Sequence, residues 1–257
     1  MVFVRHKNRK MTSIEWFDTY QHAYRIAFEN HSELKKWLLK VSFNKLVRQI
    51  QTNYSQKIDA IEKYFNEALE HDDPTPLLQA YTEKTHFVTQ INEDLAQDGS
   101  HFRFLYSFSQ MTHGYHDNQP PERLCPFIYA AILCHHHQLQ QYRHFTGTTY
   151  RGMMCNQTDL EQYRSAKSIL TKTFLSSSIQ LEVAQQFLKN DSTNKHKVIC
   201  IYKIIDPSIA LDLHTISVYP HEHEILILPF STFTITNIHI DNNGITFIQL
   251  DQLAILR

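Results

Sequence analysis

Tyr219-Pro220-His221-Glu222-His223-Glu224-Ile225-Leu226-Ile227-Leu228-Pro229 sets two carboxylates directly ahead of an apolar run that a proline closes. Read as one strand, its side chains alternate between faces, so Glu222 and Glu224 share a face with Cα atoms roughly 6.5–7 Å apart. That spacing lets two carboxylates act on two bonds of one reacting complex. The same pattern also suits solvated charges at a strand entrance, and the pair alone does not choose between the two.

The surroundings of this run are β in texture. Upstream lie strand candidates at Thr148-Thr149-Tyr150-Arg151, ending at Gly152, and at Lys172 to Ser178. Leu181, Ala184, Phe187 and Leu188 are spaced for a short helix between them and the apolar strand Val198 to Ile205, with Ser178 as the expected N-cap. Downstream, Phe233 to Ile238 and Ile245 to Leu250 flank Asp241-Asn242-Asn243-Gly244, a hairpin turn because Asn and Gly tolerate positive φ.

The first half reads helical. Thr12-Ser13-Ile14-Glu15 has the form of a capping box, followed by Trp16, Tyr20, Tyr24, Ala27 and Phe28 at helical spacing. Further apolar stripes run from Leu34 to Ile50, from Ile58 to Leu69 and from Leu77 to Leu95, the last opened by Thr75 as cap and Pro76 in the first turn. Another runs from Leu124 to Ile132 after Pro120-Pro121. A block of helices followed by closely spaced strands predicts an α+β fold: a helical N-terminal lobe packed on a mainly antiparallel β core, with a cleft between the elements. The expected division is a helical extension over 1–54 and a domain over 55–257, its helical lobe about 55–145 and its β core about 146–257.

Composition narrows the function classes. Lys+Arg is 25 against Asp+Glu 26, so no strong field favours nucleic acid or an anionic membrane. Apolar runs fall far short of the roughly 20 residues of a membrane span. Residues 1–12 are basic with no apolar region or cleavage site behind them, which points to a cytoplasmic protein, or to a secreted one if the chain is a processed fragment. Only 5 glycines are present, with no G-x-G-x-x-G and no P-loop. Cys125, Cys134, Cys155 and Cys200 show no C-x-x-C spacing and read as buried thiols. Metal ligation finds little support: consecutive helical residues face different directions, which excludes His135-His136-His137 as a chelate. A cupin-like use of His221 and His223 lacks the downstream glutamate and glycines it needs.

Three separated elements supply polar groups: Arg151 before Gly152, the triplet Ser176-Ser177-Ser178, and Glu222 with Glu224. In this order, with Phe174-Leu175 before the triplet and Val183-Ala184-Gln185-Gln186-Phe187 after it, the set resembles the arginine-specific mono-ADP-ribosyltransferases, the family with an Arg, Ser-Thr-Ser and Glu-x-Glu signature. Leu77-Leu78-Gln79-Ala80-Tyr81-Thr82 with Ile91-Asn92 resembles the family's helical lobe. The resemblance covers about residues 55–250. It departs from the family pattern at Ser177, where threonine is commonest, and in lacking a visible leader.

The resemblance implies NAD as co-substrate, no metal, and a protein acceptor with an exposed arginine. Arg151 is then expected on the NAD phosphates or adjoining ribose, with Tyr150 and Gly152 in the same binding set and Gly152 giving the nicotinamide room. Ser176 is expected to bind the nicotinamide ribose or orient the catalytic glutamate. Glu224 matches the catalytic residue. Glu222 is expected to serve the incoming arginine, with Tyr219 beside it. An NAD glycohydrolase, or a silent interaction module with the same fold, are the alternatives.

Overall fold

A computed structural model describes residues 14–17, 59–83, 85–98, 125–188 and 195–253. The helices come first: α1 Asp59–His71, α2 Thr75–Thr82, α3 His86–Asp98 and α4 Cys125–His135. From Gly147 onward the chain supplies β2 Gly147–Cys155, α5 Gln157–Ser165, β3 Ser168–Thr171, β4 Leu175–Ser178 and α6 Leu181–Gln186. Then follow β5 His196–Ile204, β6 Ala210–Asp212, β7 Glu224–Ile227, β8 Thr232–Ile240 and β9 Thr246–Gln252. The expected α+β arrangement is what the chain adopts.

One strand lies outside the second half. Ile14–Phe17 forms β1, paired antiparallel with β3 from Ile14↔Thr171 to Phe17↔Ser168. The capping box and helix start expected over Thr12–Glu15 are therefore corrected. Ile, Trp and Phe favour the pleated surface, and pairing with a sheet edge overrides a local capping signal. The stripe expected over Leu34–Ile50 lies outside the described residues, as does the rest of the expected helix after Phe17.

The described strands form one sheet in the order β1-β3-β8-β9-β5-β2-β4-β7-β6, in which the β5/β9 pair is parallel and the others antiparallel. The expected hairpin closes between β8 and β9, where Gly244 takes φ 75° and the Asp241 carboxylate accepts from Asn243 N and Ile245 N. The expected strand Lys172–Ser178 is shorter, β4 beginning only at Leu175, and β3 lies wholly upstream of it. β3 pairs with β1 and β8, whereas β4 pairs with β2 and β7, so Lys172–Phe174 carry the chain across the sheet.

Alternation along β7 separates two cores. Leu226 and Leu228 pack with the helical lobe beside Leu77, Tyr81 and Phe174, while Ile225 and Ile227 pack with Val198, Tyr202 and Leu250. By the same alternation Glu224 belongs to the helical side of the sheet. A run of rings links the lobe to the strand that carries the serine triplet: Phe87 meets Tyr129 at 5.5 Å, and Phe174 lies 5.2 Å from Tyr81 and 6.4 Å from Tyr129. Such edge and tilted pairs add to the burial of the rings themselves. Arg143 joins the lobe to the sheet, its guanidinium donating to the carbonyls of Leu133 and Cys134 at the end of α4 and to Ser208 O before β6.

The helix expected over Leu77–Leu95 is two helices, α2 and α3, separated at Glu83–Thr85. Pro74 holds the N-cap position of α2 in place of Thr75, and the Asp73 carboxylate accepts from Thr75 N at 2.9 Å. The proline ring has no N–H to satisfy at this end.

Candidate active site

The register of β2, β4 and β7 brings the three sequence motifs together. Tyr150 stands opposite Ser178, and Ser178 opposite Glu224, so one rung of the sheet carries a residue from each motif. β2 runs on through Gly152 to Cys155, further than expected, and stays paired with β5 from Gly147↔Ile204 to Cys155↔His196. With β4 it shares the single pair Tyr150↔Ser178. The two strands part beyond that pair, and a cleft of about 160 Å³ opens there. Tyr150, Arg151, Ser176, Ser178, Glu222 and Glu224 line it, and α6 closes one wall with Val183, Ala184 and Phe187.

Each serine of the triplet has its own place. Ser176 is half-buried on the cleft wall, and its carbonyl accepts from Arg151 Nη1 at 2.6 Å. That bond fixes the guanidinium against the backbone of β4. Ser177 is buried and serves the sheet itself: Thr149 Oγ1 donates to Ser177 Oγ at 2.9 Å, and Ser177 Oγ donates to Ile225 O at 2.7 Å. This chain of bonds stitches β2, β4 and β7 directly beneath the cleft. Ser178 is not the helix cap expected of it. Gln180 holds the N-cap position of α6, and Ser178 Oγ accepts from Gln180 N at 2.9 Å in the turn before it.

Gly152 has a packing reason that the sequence does not show. A Cβ on it would lie 1.9 Å from Ala184 O, inside α6. Only the missing side chain lets α6 seat against β2, and that seating brings Phe187, 53% exposed, to the rim of the cleft.

The two glutamates are built differently, which corrects the expectation of one shared strand face. Glu224 opens β7 and is only 6% exposed. Glu222 ends a 3-10 turn, Pro220–Glu222, and is half-buried. Pro220 favours the turn, His223 N donates back to Pro220 O at 3.1 Å, and His223 takes φ 44°, so the chain cannot run straight through as a strand. The two carboxylates reach the same cleft from a strand and from a turn. His221 and His223, which strand alternation would set together on the face opposite the glutamates, lie in and just after the turn. His223 instead stacks on His214 with ring centroids 6.4 Å apart, and Asp212 binds both His214, at 2.6 Å, and His144, at 3.3 Å.

The helical lobe adds a residue that the periodicity of the sequence assigns only to core. Tyr81, at the end of α2, is 4% exposed, and its hydroxyl accepts from Asn92 Nδ2 at 2.9 Å. Burial pushes its phenol well above the ordinary range, with the negative charge of Glu224 pushing the same way and Asn92 and Arg151 opposing. Tyr81 is therefore a neutral hydroxyl within electrostatic reach of both Glu224 and Arg151. A tyrosine in a stripe otherwise filled by leucine is the signal that marks it. Behind Arg151, directly across β2/β5, the buried Cys200 thiol is pushed up to about 11 by burial and stays neutral. Among the described residues no group of three or more His, Cys, Asp or Glu is placed to hold a metal ion. No helix among them is long and apolar enough to cross a membrane.

The family model for NAD:arginine ADP-ribosyltransferases matches residues 18–255. No curated protein matches the sequence. Among solved structures, the type III effector XopAI of Xanthomonas axonopodis pv. citri is 14% identical over 95% of this chain and 96% of its own, with a TM-score of 0.50. The ADP-ribosyltransferase HopU1 of Pseudomonas syringae pv. tomato is 20% identical over 52% of this chain and 56% of its own, with a TM-score of 0.40. The Vis toxin of Vibrio splendidus is 16% identical over 92% of this chain and 87% of its own, with a TM-score of 0.37. At 14% identity the likeness to XopAI speaks to the fold alone. The family match is of another kind, because it spans the helical lobe, strands β2 to β9 and every residue of the cleft: the chain belongs to the NAD:arginine ADP-ribosyltransferase family.

Proposed function

We propose that the protein transfers ADP-ribose from NAD to an arginine side chain of a protein acceptor and releases nicotinamide. The observation that carries this reading is the convergence on one cleft of Arg151 from β2, Ser176 from β4, and Glu222 and Glu224 from the turn and strand of a third segment. A cleft of about 160 Å³ is smaller than the roughly 300–1,000 Å³ of sites that enclose a drug-sized molecule. It suits one end of a dinucleotide, the end where the bond breaks.

Arg151 is the group for the phosphates or the adjoining ribose. Its planar guanidinium offers several charge-assisted bonds to oxyanions, and the Ser176 carbonyl already holds it in one orientation. Breaking the bond between nicotinamide and ribose leaves the electron pair on the nicotinamide and builds positive charge on the sugar, an oxocarbenium-like state. Glu224, buried and fixed at the head of β7, supplies a negative charge that stabilises this state more than the ground state. Ser176, on the same wall, is the hydroxyl for the nicotinamide ribose, with Tyr150 and Gly152 bordering the same pocket.

Glu222 serves the acceptor. A guanidinium is protonated at ordinary pH and is a poor nucleophile, so a carboxylate has to orient it and take its proton as nitrogen bonds to the sugar carbon. The half-buried turn position of Glu222 suits a partner that arrives from solvent, as the buried strand position of Glu224 suits a charge that forms inside.

Incubation with NAD and agmatine, followed by mass spectrometry, tests the reading. An ADP-ribosyl agmatine adduct is the expected product. NAD consumption that yields only free ADP-ribose would assign the protein as a glycohydrolase, and no NAD consumption would leave it a silent module.

A further inference from the structure

The loop between β6 and β7, which carries Glu222, consists of two turns. In the first, Ile216 N and Ser217 N donate to Leu213 O; in the second, Glu222 N donates to Tyr219 O and His223 N to Pro220 O. These bonds are local, as is one from Tyr219 N to Ser217 Oγ at 3.1 Å that crosses the joint between the turns; all lie within the loop, so none of them ties the second turn to the helical lobe. The ends of the loop are tied to the sheet through Leu213 N to Glu224 O and Ile179 N to His223 O. Val218 lies at the joint between the turns, and its N–H donates at 3.0 Å to the hydroxyl of Thr82, a residue 136 positions earlier.

Thr82 is the last residue of α2 and is 6% exposed. Its hydroxyl donates to Gln79 O at 2.9 Å, which leaves its lone pairs for Val218 N. Gln79 O also accepts from Glu83 N, so it keeps a partner if the threonine hydroxyl is removed, whereas the Val218 N–H loses this one. We infer that Thr82 is a positioning residue for the acceptor: its hydroxyl holds the joint of the loop and thereby sets Glu222 over the cleft. The inference rests on the reading of Glu222 as the acceptor's carboxylate. It gives the end of α2 a double task, with Tyr81 within electrostatic reach of Glu224 and Thr82 bonded to the loop that carries Glu222.

Thr82→Val keeps the shape and removes the hydroxyl; Thr82→Ser keeps the hydroxyl. Hydrogen exchange across residues 213–223 reads the tether, and agmatine transfer against NAD hydrolysis reads its consequence. In Thr82→Val, exchange at Val218 and the KM for agmatine should each rise about five- to ten-fold, with hydrolysis falling by less than about half. Thr82→Ser should restore both. Val218→Pro deletes the donor from the loop side, leaves the helix intact, and should give the same acceptor-selective defect. Unchanged exchange in Thr82→Val would overturn the inference, and so would equal losses of transfer and hydrolysis or a Val218→Pro variant with parental agmatine KM. A parent protein that hydrolyses NAD without forming the agmatine adduct would sink the arginine reading instead, and the exchange comparison would still decide the tether.

Discussion

Glu224 and Glu222 stand two residues apart and are held in unlike ways. Glu224 belongs to the strand half of the cleft, where register pairs Tyr150, Ser178 and Glu224 in one rung and the Thr149–Ser177–Ile225 bonds lock three strands together. Glu222 belongs to the turn half, where local bonds and a few ties to other segments hold a loop of two turns. On the proposed reading, a strand fixed from both sides presents a charge that does not move as the reaction proceeds, which is what stabilising a short-lived cation requires. On the same reading, a turn keeps its shape with less support and can meet acceptors of different form. Substitutions in the strand half should therefore depress every use of NAD, and those in the turn half only the use that needs an acceptor.

The largest effect on the strand half is expected from Gly152→Ala. The added carbon meets Ala184 O at 1.9 Å, and backbone on both sides leaves α6 to move. Overpacking of this kind costs about 1–3 kcal/mol or more, with Phe187 displaced from the rim. Thermal melting should show the loss, and water and agmatine should both be used more slowly; an unaltered melt would break the packing account. Ser177→Ala comes next. It strands the Thr149 hydroxyl and removes a donor to Ile225 O, at about 1–3 kcal/mol for the buried group left unpaired. Denaturant unfolding reads this directly, and a change below about 0.5 kcal/mol would contradict the stitch.

Tyr81→Phe should follow at about 1 kcal/mol, because Asn92 loses its acceptor and Glu224 a neighbouring hydroxyl. Its kinetic mark distinguishes the two halves: hydrolysis and transfer should fall by the same factor, and loss of transfer alone would move Tyr81 to the acceptor side. Pro220→Ala is the smallest. Freeing the turn costs about 0.4–1 kcal/mol through the unfolded chain, and the change should appear in the agmatine KM with hydrolysis near the parental rate.

Much of the strand half was legible in the sequence. Alternation and turn chemistry locate β5, the β8/β9 hairpin and the strand of the serine triplet, and the positions of Arg151, Ser176 and the two glutamates follow from their order along the chain. What the sequence hides depends on partners far away. The capping box at Thr12–Glu15 is a sound local signal, and the edge of β3 overrides it. The run Lys172–Ser178 has one texture, but only Leu175–Ser178 pairs as a strand, and Lys172–Phe174 link it to β3 across the sheet. Glu222 looks like a strand residue because Glu-x-Glu has period two; Pro220 and the left-handed His223 turn it into something else. Gly152 reads as room for a ligand, and its packing against Ala184 O is a second demand that only the fold shows. Thr82 carries no sequence signal for its bond to Val218, since only the fold brings them together.

The most direct test of the division between the two carboxylates is a paired kinetic measurement on Glu224→Gln and Glu222→Gln, with NAD hydrolysis and agmatine transfer read in the same samples. For Glu224→Gln both activities should fall by about 10²–10³-fold, the scale of losing a charge aimed at the transition state. For Glu222→Gln transfer should fall by about 10²-fold or more, as for a lost general base, while much of the hydrolysis remains. Undiminished transfer by Glu222→Gln, or equal loss of both activities in both variants, would contradict the account.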